Sequence, residues 1–186
     1  MKVLVACEFS GIVRDAFLHR GHDAISCDLL PTERPGPHLQ VDVRTVLSDE
    51  YDLMIAHPPC TYLAVSGNRW RAERREQEQE ALEFVRILLN APIKMIALEN
   101  PIGIISTKIR KPTQIVHPWM FGHAETKATC LWLKNLPFLD ATFPVPGLRA
   151  RVHRAAPSPD RWKERSRTLS GLARAMAAQW GAHGQS

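Results

Sequence analysis

The sequence predicts an α/β fold on a mostly parallel sheet, and three observations carry that prediction. Short apolar runs rich in Val, Ile and Leu recur along the first hundred residues. Segments with helical spacing lie between several of them. Each run also ends abruptly in polar residues, as strands do when they deliver side chains to one edge of a sheet.

"KVLVAC" (2–7) reads as a buried first strand, not a leader peptide, because Glu8 interrupts it and no small-residue cleavage site follows. "GIVRDAFLHRG" follows as a helix, apolar at Ile12, Val13, Ala16 and Phe17 and stopped by Gly21. "DAISCD" (23–28) is the second strand, "HLQVDV" (38–43) a short third and "YDLMIA" (51–56) the fourth. The spacing of Ala81, Phe84, Val85 and Leu88 predicts a helix from Glu73 to Asn90. "IKMIALEN" (93–100) is the fifth strand and "ATCLWL" (128–133) a later one. Leu169, Leu172, Ala173, Met176 and Trp180 share one face of a last helix, with Ser166, Thr168 or Ser170 available to cap it. Residues 1–133 are therefore expected to form a Rossmann-like core. Residues 134–167 form a basic irregular insert, and 168–186 a helix packing back on the core.

At 186 residues and 45% hydrophobic content, one sizeable core is expected. No run approaches the roughly 18 apolar residues of a membrane span. Four cysteines, Cys7, Cys27, Cys60 and Cys130, form no C-x-x-C pair and match no zinc spacing, so no metal site is expected. Free thiols and no export signal point to the cytoplasm. The net charge is +5, and a matching excess sits between Arg149 and Arg167, where seven basic residues face only Asp160 and Glu164. Beside Trp162, that patch suits a polyanion; the alternative is a solvated Pro-rich connector.

Ligands of open parallel sheets bind beyond the carboxyl ends of the strands. That edge collects Glu8 to Gly11, Asp28, Asp42, His57 to Cys60, and Glu99 to Pro101. Gly11 lets a ligand approach the backbone, and the helix after it offers its N-terminus to polar or anionic groups. Asp28 stands where an acid accepts from ribose hydroxyls, or serves as a turn cap. Cys60 follows two prolines: a space-filling thiol, or a nucleophile whose thiolate attacks electron-poor carbon. Glu99, at the end of a buried strand, is expected to have its pKa raised by desolvation, unless an ion pair or helix cap claims it.

Pro59-Cys60, with Glu99-Asn100-Pro101 one strand later, resembles the DNA cytosine carbon-5 methyltransferase family. That family places Pro-Cys as nucleophile and Glu-Asn-Val on the target base. Phe9-Ser10-Gly11 looks like its Phe-x-Gly cofactor loop, and Asp28 and Asp42 match its acidic cofactor positions. Short, phage-type members are most similar, around "KPTQIVHPWMFGHAETKATCLWLKNLP" and "GLARAMAAQWG".

The resemblance implies S-adenosylmethionine as cofactor, contacted by Phe9, Ser10, Gly11, Ile12, Asp28, Leu29, Asp42, Val43 and Pro59. It implies catalysis by Cys60, Glu99, Asn100 and Lys127. The partner it implies is DNA, duplex or single-stranded, gripped by Arg69, Arg71, Arg149, Arg151, Arg154, Arg161, Lys163 and Arg165. The family's Gln-x-Arg-x-Arg motif falls on Glu125, Lys127 and Thr129, so one of its arginines is a threonine here. Val13 stands where the family repeats a glycine, and Cys7 where it has an acid two places before the Phe. The insert is far shorter than the family's target-recognition domain. Loose sequence preference, a homodimer or a separate recognition protein is expected. A free or modified pyrimidine nucleotide, single-stranded nucleic acid, and a catalytically silent nucleic-acid-binding accessory are the competing readings.

Overall fold

The computed structural model describes residues 1–64, 75–146, 163 and 166–183. Its centre is a seven-stranded sheet. The strands are β1 (Lys2–Ala6), β2 (Asp23–Cys27), β3 (His38–Leu39), β4 (Leu53–Ala56), β5 (Met95–Pro101), β6 (Gln114–Val116) and β7 (Thr129–Lys134). The helices are α1 (Ile12–Leu18), α2 (Arg75–Leu89), α3 (Ile105–Lys108) and α4 (Ser170–His183). Strand order is β3-β2-β1-β4-β5-β7-β6. The first five strands are parallel to one another, while β7 runs antiparallel to both β5 and β6.

The order reverses between β1 and β4, which creates the crevice where doubly wound sheets take ligands. Residues of alternating parity on the strands point to opposite faces. One face, including Val3, Val5, Leu53, Ile55, Ala97 and Leu131, packs with Val13 and Phe17 of α1 and with Leu172, Met176 and Trp180 of α4. The other, including Leu4, Met54, Ile96 and Trp132, is covered by Leu82, Val85 and Leu88 of α2 and by Ile104 and Ile105.

Two expectations need correction. The third strand is two residues long, because Asp42 caps a tight turn at Val43–Thr45 and ends the extended run. Asn100 and Pro101 complete β5, pairing with Cys130 and Thr129. Cys7 is not a strand-interior thiol: it lies just past β1, half-buried, with φ 59°. The sheet is mostly parallel, as expected, with an antiparallel end made by β7 and β6.

The start of the insert folds back onto the body. Gln114 exchanges hydrogen bonds with the backbone of Leu139, and the amides of Thr142 and Phe143 donate to the Met120 carbonyl. Among the described residues no helix is long and apolar enough to cross a membrane.

The seat of α4 is pH-sensitive. The Gly171 amide donates to His123 Nε2 at 2.9 Å, which requires a neutral imidazole. Burial, then the nearby Arg174, lowers the His123 pKa, against a smaller opposing effect of Glu125. A lowered folded-state pKa contributes stability present above the unfolded value, about 6.5, and lost as pH falls through the folded value. His22 shifts the same way, again mainly through burial. We expect the denaturation midpoint to fall between pH 7.5 and 5.5, and His123→Gln, which keeps an acceptor, to flatten the fall. An unchanged slope in that variant would remove His123 from the account.

Candidate active site

Four side chains begin one residue beyond a single rung of the parallel sheet. Cys27, Ala6, Ala56 and Leu98 pair across β2, β1, β4 and β5. Asp28, Cys7, His57 and Glu99 follow them.

At the β1–β2 end, Glu8 turns inward. Its carboxylate accepts from the Val13 amide at 2.7 Å, the Arg14 amide at 3.1 Å and the Ser10 hydroxyl at 3.0 Å. The anion-binding N-terminus expected of α1 is thus already filled by the chain's own carboxylate. Gly11 has φ 71°, and a Cβ there would overlap the buried Arg14 guanidinium, so its glycine is required by Arg14. Phe9 and Ser10 are buried, and Ile12 is half-buried with its amide on Ser10 Oγ at 3.3 Å.

Asp28 is half-buried, and its Oδ1 accepts from the Leu30 amide at 2.9 Å. Burial raises its pKa, more than the Leu30 and Leu29 amides and His38 lower it. Asp42 is held below its usual range by hydrogen bonds from the Arg44 side chain and backbone. Burial first, then Asp28, Cys27 and Asp42, drive the Cys7 thiol strongly upward, which places these groups at one acidic corner. Leu29 is 70% exposed beside that corner, whereas Val43 is part of the core.

At the β4–β5 end, the loop carrying Pro58, Pro59 and Cys60 is stitched to β5. Asn100 Nδ2 donates to the Pro58 carbonyl at 2.8 Å. The Ile104 amide donates to the Leu63 carbonyl at 2.8 Å, and Ala64 bridges to Gly103. His57 Nδ1 lies 3.3 Å from Glu99 Oε2. Pro59 and Cys60 are exposed. A Cβ at Gly103 would overlap the Leu63 carbonyl oxygen. Gly103→Ala is therefore expected to cost about 1–3 kcal/mol, as overpacking does, and to change the alkylation rate of Cys60. A variant with wild-type stability and thiol reactivity would show that the loop is not held there.

Glu99 opens onto a narrow cleft lined also by His117, Lys127, Thr129, Arg167 and Leu172. Burial alone would raise the Glu99 pKa. The hydrogen bond from His57, the Lys127 charge and the Thr129 hydroxyl together outweigh burial, and the net direction is down. The expected rise is corrected: the donors and cations around Glu99 hold its pKa below the ordinary carboxylate value.

Lys127 and Thr129 thus meet Glu99 in space. Cys60 is not among the residues lining the cleft; its loop stands beside it. Asn100 is buried, pointing its amide at the Pro58 carbonyl. Of the basic residues expected on nucleic acid, Lys163 is half-buried and its charge reaches Glu33. Arg69, Arg71, Arg149, Arg151, Arg154, Arg161 and Arg165, with Trp162, lie outside the described residues. Arg167 grips Glu33 with two bonds of 2.9 and 2.7 Å. The Glu33 amide in turn donates to the Phe9 carbonyl, which links the cleft wall to the first turn. Sequence reading missed three working groups: the cap made by Glu8, the buried Arg14 and the His57–Glu99 pair. A charged residue on an apolar helix face was the one local signal for Arg14.

No family model matches this chain. No curated protein matches it either. Among solved structures, it is similar to a protein provisionally described as a DNA modification methyltransferase encoded within an E. coli prophage, at 14% identity and a TM-score of 0.48, over 78% of this chain and 52% of that one, so that it spans about half that protein's length.

Proposed function

We propose that the chain is an S-adenosylmethionine-dependent methyltransferase that forms 5-methylcytosine in DNA through a covalent Cys60 adduct at carbon 6. One observation carries this reading. The loop bearing Cys60 is tied to β5 through Asn100 and to the turn after β5 through the Leu63–Ile104 hydrogen bond and the Ala64–Gly103 bridge, and Glu99 of the same strand opens onto a cleft with Lys127 and Thr129. A nucleophile and an electrostatic partner on one rigid unit are what covalent catalysis on a ring requires.

The acidic corner suits the cofactor. S-adenosylmethionine carries positive charge, and Asp28 supplies a carboxylate at the switch point, with Asp42, itself paired with Arg44, and exposed Leu29 nearby. Bound there, the cofactor supplies an electrophilic methyl group. Cys60 adds its thiolate to carbon 6, which makes carbon 5 nucleophilic. Glu99, taking up a proton as the base docks, donates it in a hydrogen bond to ring nitrogen 3, and Lys127 balances charge beside it. Asn100 keeps the nucleophile's loop in place through Pro58. Once carbon 5 has taken the methyl group, its proton passes to water and the thiolate leaves carbon 6, which restores the ring. In duplex DNA the target base must first leave the stack.

A second reading, a pyrimidine in single strands or as a nucleotide, is favoured by the fold-back of residues 135–146 onto the body. Only the remainder of the insert is left to read sequence. Methyl-labelled S-adenosylmethionine, offered with duplex, single-stranded and mononucleotide cytosine, separates the two. Label in 5-methylcytosine of polymer, with transfer falling steeply as salt rises, is expected. Cofactor binding without transfer to any pyrimidine overturns the reaction.

A further inference from the structure

We propose that Arg167 binds a phosphate of the substrate, and that its ion pair with Glu33 is the latch this phosphate opens. Latched, residues 166–169 lie across the cleft in front of Glu99. When a phosphate takes Arg167 from Glu33, the segment lifts and a base can enter. The latch deepens the reading of that cleft as the seat of the base and rests on it.

The latched cleft is too small for a base. Its volume is about 20 Å³, room for a water and not for a pyrimidine ring. One side is built on the sheet, with Glu99 of β5 and Thr129 of β7. The other side includes Ser166, Arg167, Thr168 and Leu169, which lead into α4. The second side is the one that can move. α4 itself is anchored from Gly171 onward. The Gly171 amide donates to His123 Nε2 at 2.9 Å, and a Cβ there would overlap the Phe121 carbonyl oxygen. Before that anchor, the Ser166 hydroxyl and the Arg167 amide donate to the Lys163 carbonyl, within the same stretch of chain. The Arg167 guanidinium reaches across to the body and meets the Glu33 carboxylate at 2.9 and 2.7 Å.

Glu33 is the fixed end of the latch. Its amide donates to the Phe9 carbonyl at 2.8 Å, and the neighbouring Thr32 hydroxyl accepts from buried Arg14 at 3.2 Å. The two latch side chains are 37% and 32% exposed, so water and salt screen the pair and it opens at little cost. Glu33 is not stranded by the opening. Arg167 acts on it most strongly, but Lys163 and Arg34 also hold its pKa down, and both remain. A phosphate presents the same paired oxygens to the guanidinium fork as a carboxylate does. Arg167 thus exchanges one bidentate anion for another. Because Arg167 lines the cleft, a phosphate held there brings its own nucleotide to the cleft mouth. That phosphate is a backbone diester of DNA or the 5′-phosphate of a nucleotide.

The test places a thiol in the segment. Leu169→Cys, in a Cys60→Ser background, is alkylated with iodoacetamide, and the modified peptide is read by mass. Adding Glu33→Arg is expected to speed alkylation about 5-fold, the scale of a lost exposed ion pair. The charge swap, Glu33→Arg with Arg167→Glu, is expected to slow it again, which a merely loosened fold would not do. An abasic oligodeoxynucleotide then supplies the diester, and deoxyribose 5-phosphate the monoester. With Arg167 and Glu33 in place, at least one of them should speed alkylation, and neither should do so in the swapped chain. A response to the oligomer alone assigns the phosphate to DNA, and a response to the monoester as well admits a nucleotide. An unchanged rate in Glu33→Arg, no response to either phosphate, or an equal response in the swapped chain overturns the proposal. The assay uses neither base nor cofactor, so a failure to form any adduct with 5-fluorocytosine DNA would count against the cytosine reading alone.

Discussion

Cys60→Ser is expected to form no adduct with 5-fluorocytosine DNA and to lose turnover by roughly 10⁴-fold or more, the scale on which loss of a nucleophile acts. Fluorine at carbon 5 does not leave as a proton does, so the wild-type protein with S-adenosylmethionine stalls while bonded, and intact mass detects the complex. Cys60 is exposed and belongs to neither core cluster, so the substitution should change stability by no more than about 0.5 kcal/mol. Cofactor and DNA binding should survive. The other thiols are poor substitutes. Cys7 sits at the same edge, but burial and the acidic corner push its pKa far up, so little thiolate forms there. Cys27 is buried, with its pKa pushed up to about 11, chiefly by desolvation. An adduct that persists in Cys60→Ser would remove Cys60 as nucleophile and send the search to Cys7 in spite of that penalty.

The contrast between those thiols shows what local sequence encodes. The β-branched runs marked β1, β2, β4 and β5 because each is buried on both faces and reads as a continuous apolar string. The three residues of β6 carry no periodicity, and the direction of β7 depends on its connection, not on its composition. Residues at strand ends could be assigned to one edge, but not to partners. His57 and Glu99 are 42 positions apart, and only the parallel register of β4 on β5 brings them together. Glu8 shows the opposite failure. Its place at the edge suggested a ligand contact, yet α1 begins after Gly11, which has no side chain to cap it, and Glu8 turns inward to satisfy its amides. Glu99 was expected to rise in pKa from burial alone. The donors that reverse the sign lie on β4, β7 and the loop before it, out of reach of any local reading.

Arg14→Met is expected to produce the largest loss of stability, about 3–5 kcal/mol, the range for breaking a buried charged network by removing one partner. Arg14 is 0% exposed on the face of α1 that also buries Val13 and Phe17. Its guanidinium donates to Asp15 at 2.7 and 2.9 Å, to Ser26 at 3.3 Å, to Thr32 at 3.2 Å and to the carbonyls of Arg34 and Pro35 at 3.2 Å each. It is thus the post around which the segment after β2 is wound. Methionine matches much of its volume but would strand those carbonyls and the Asp15 carboxylate. In a chain of this size the melting temperature should drop by roughly 10 °C or more. Arg14→Lys separates charge from shape. An ammonium can pair with Asp15 but lacks the planar fork that reaches several acceptors at once, so an intermediate loss is expected. The same segment carries Asp28 and Leu29, so both variants should also weaken S-adenosylmethionine binding, measured by calorimetry well below the melting temperature. A variant that melts early yet binds as wild type would confine Arg14 to the fold. One that melts and binds as wild type would mean that Asp15, Ser26 and the loop carbonyls hold their places without it, and the acidic corner owes its shape to other contacts.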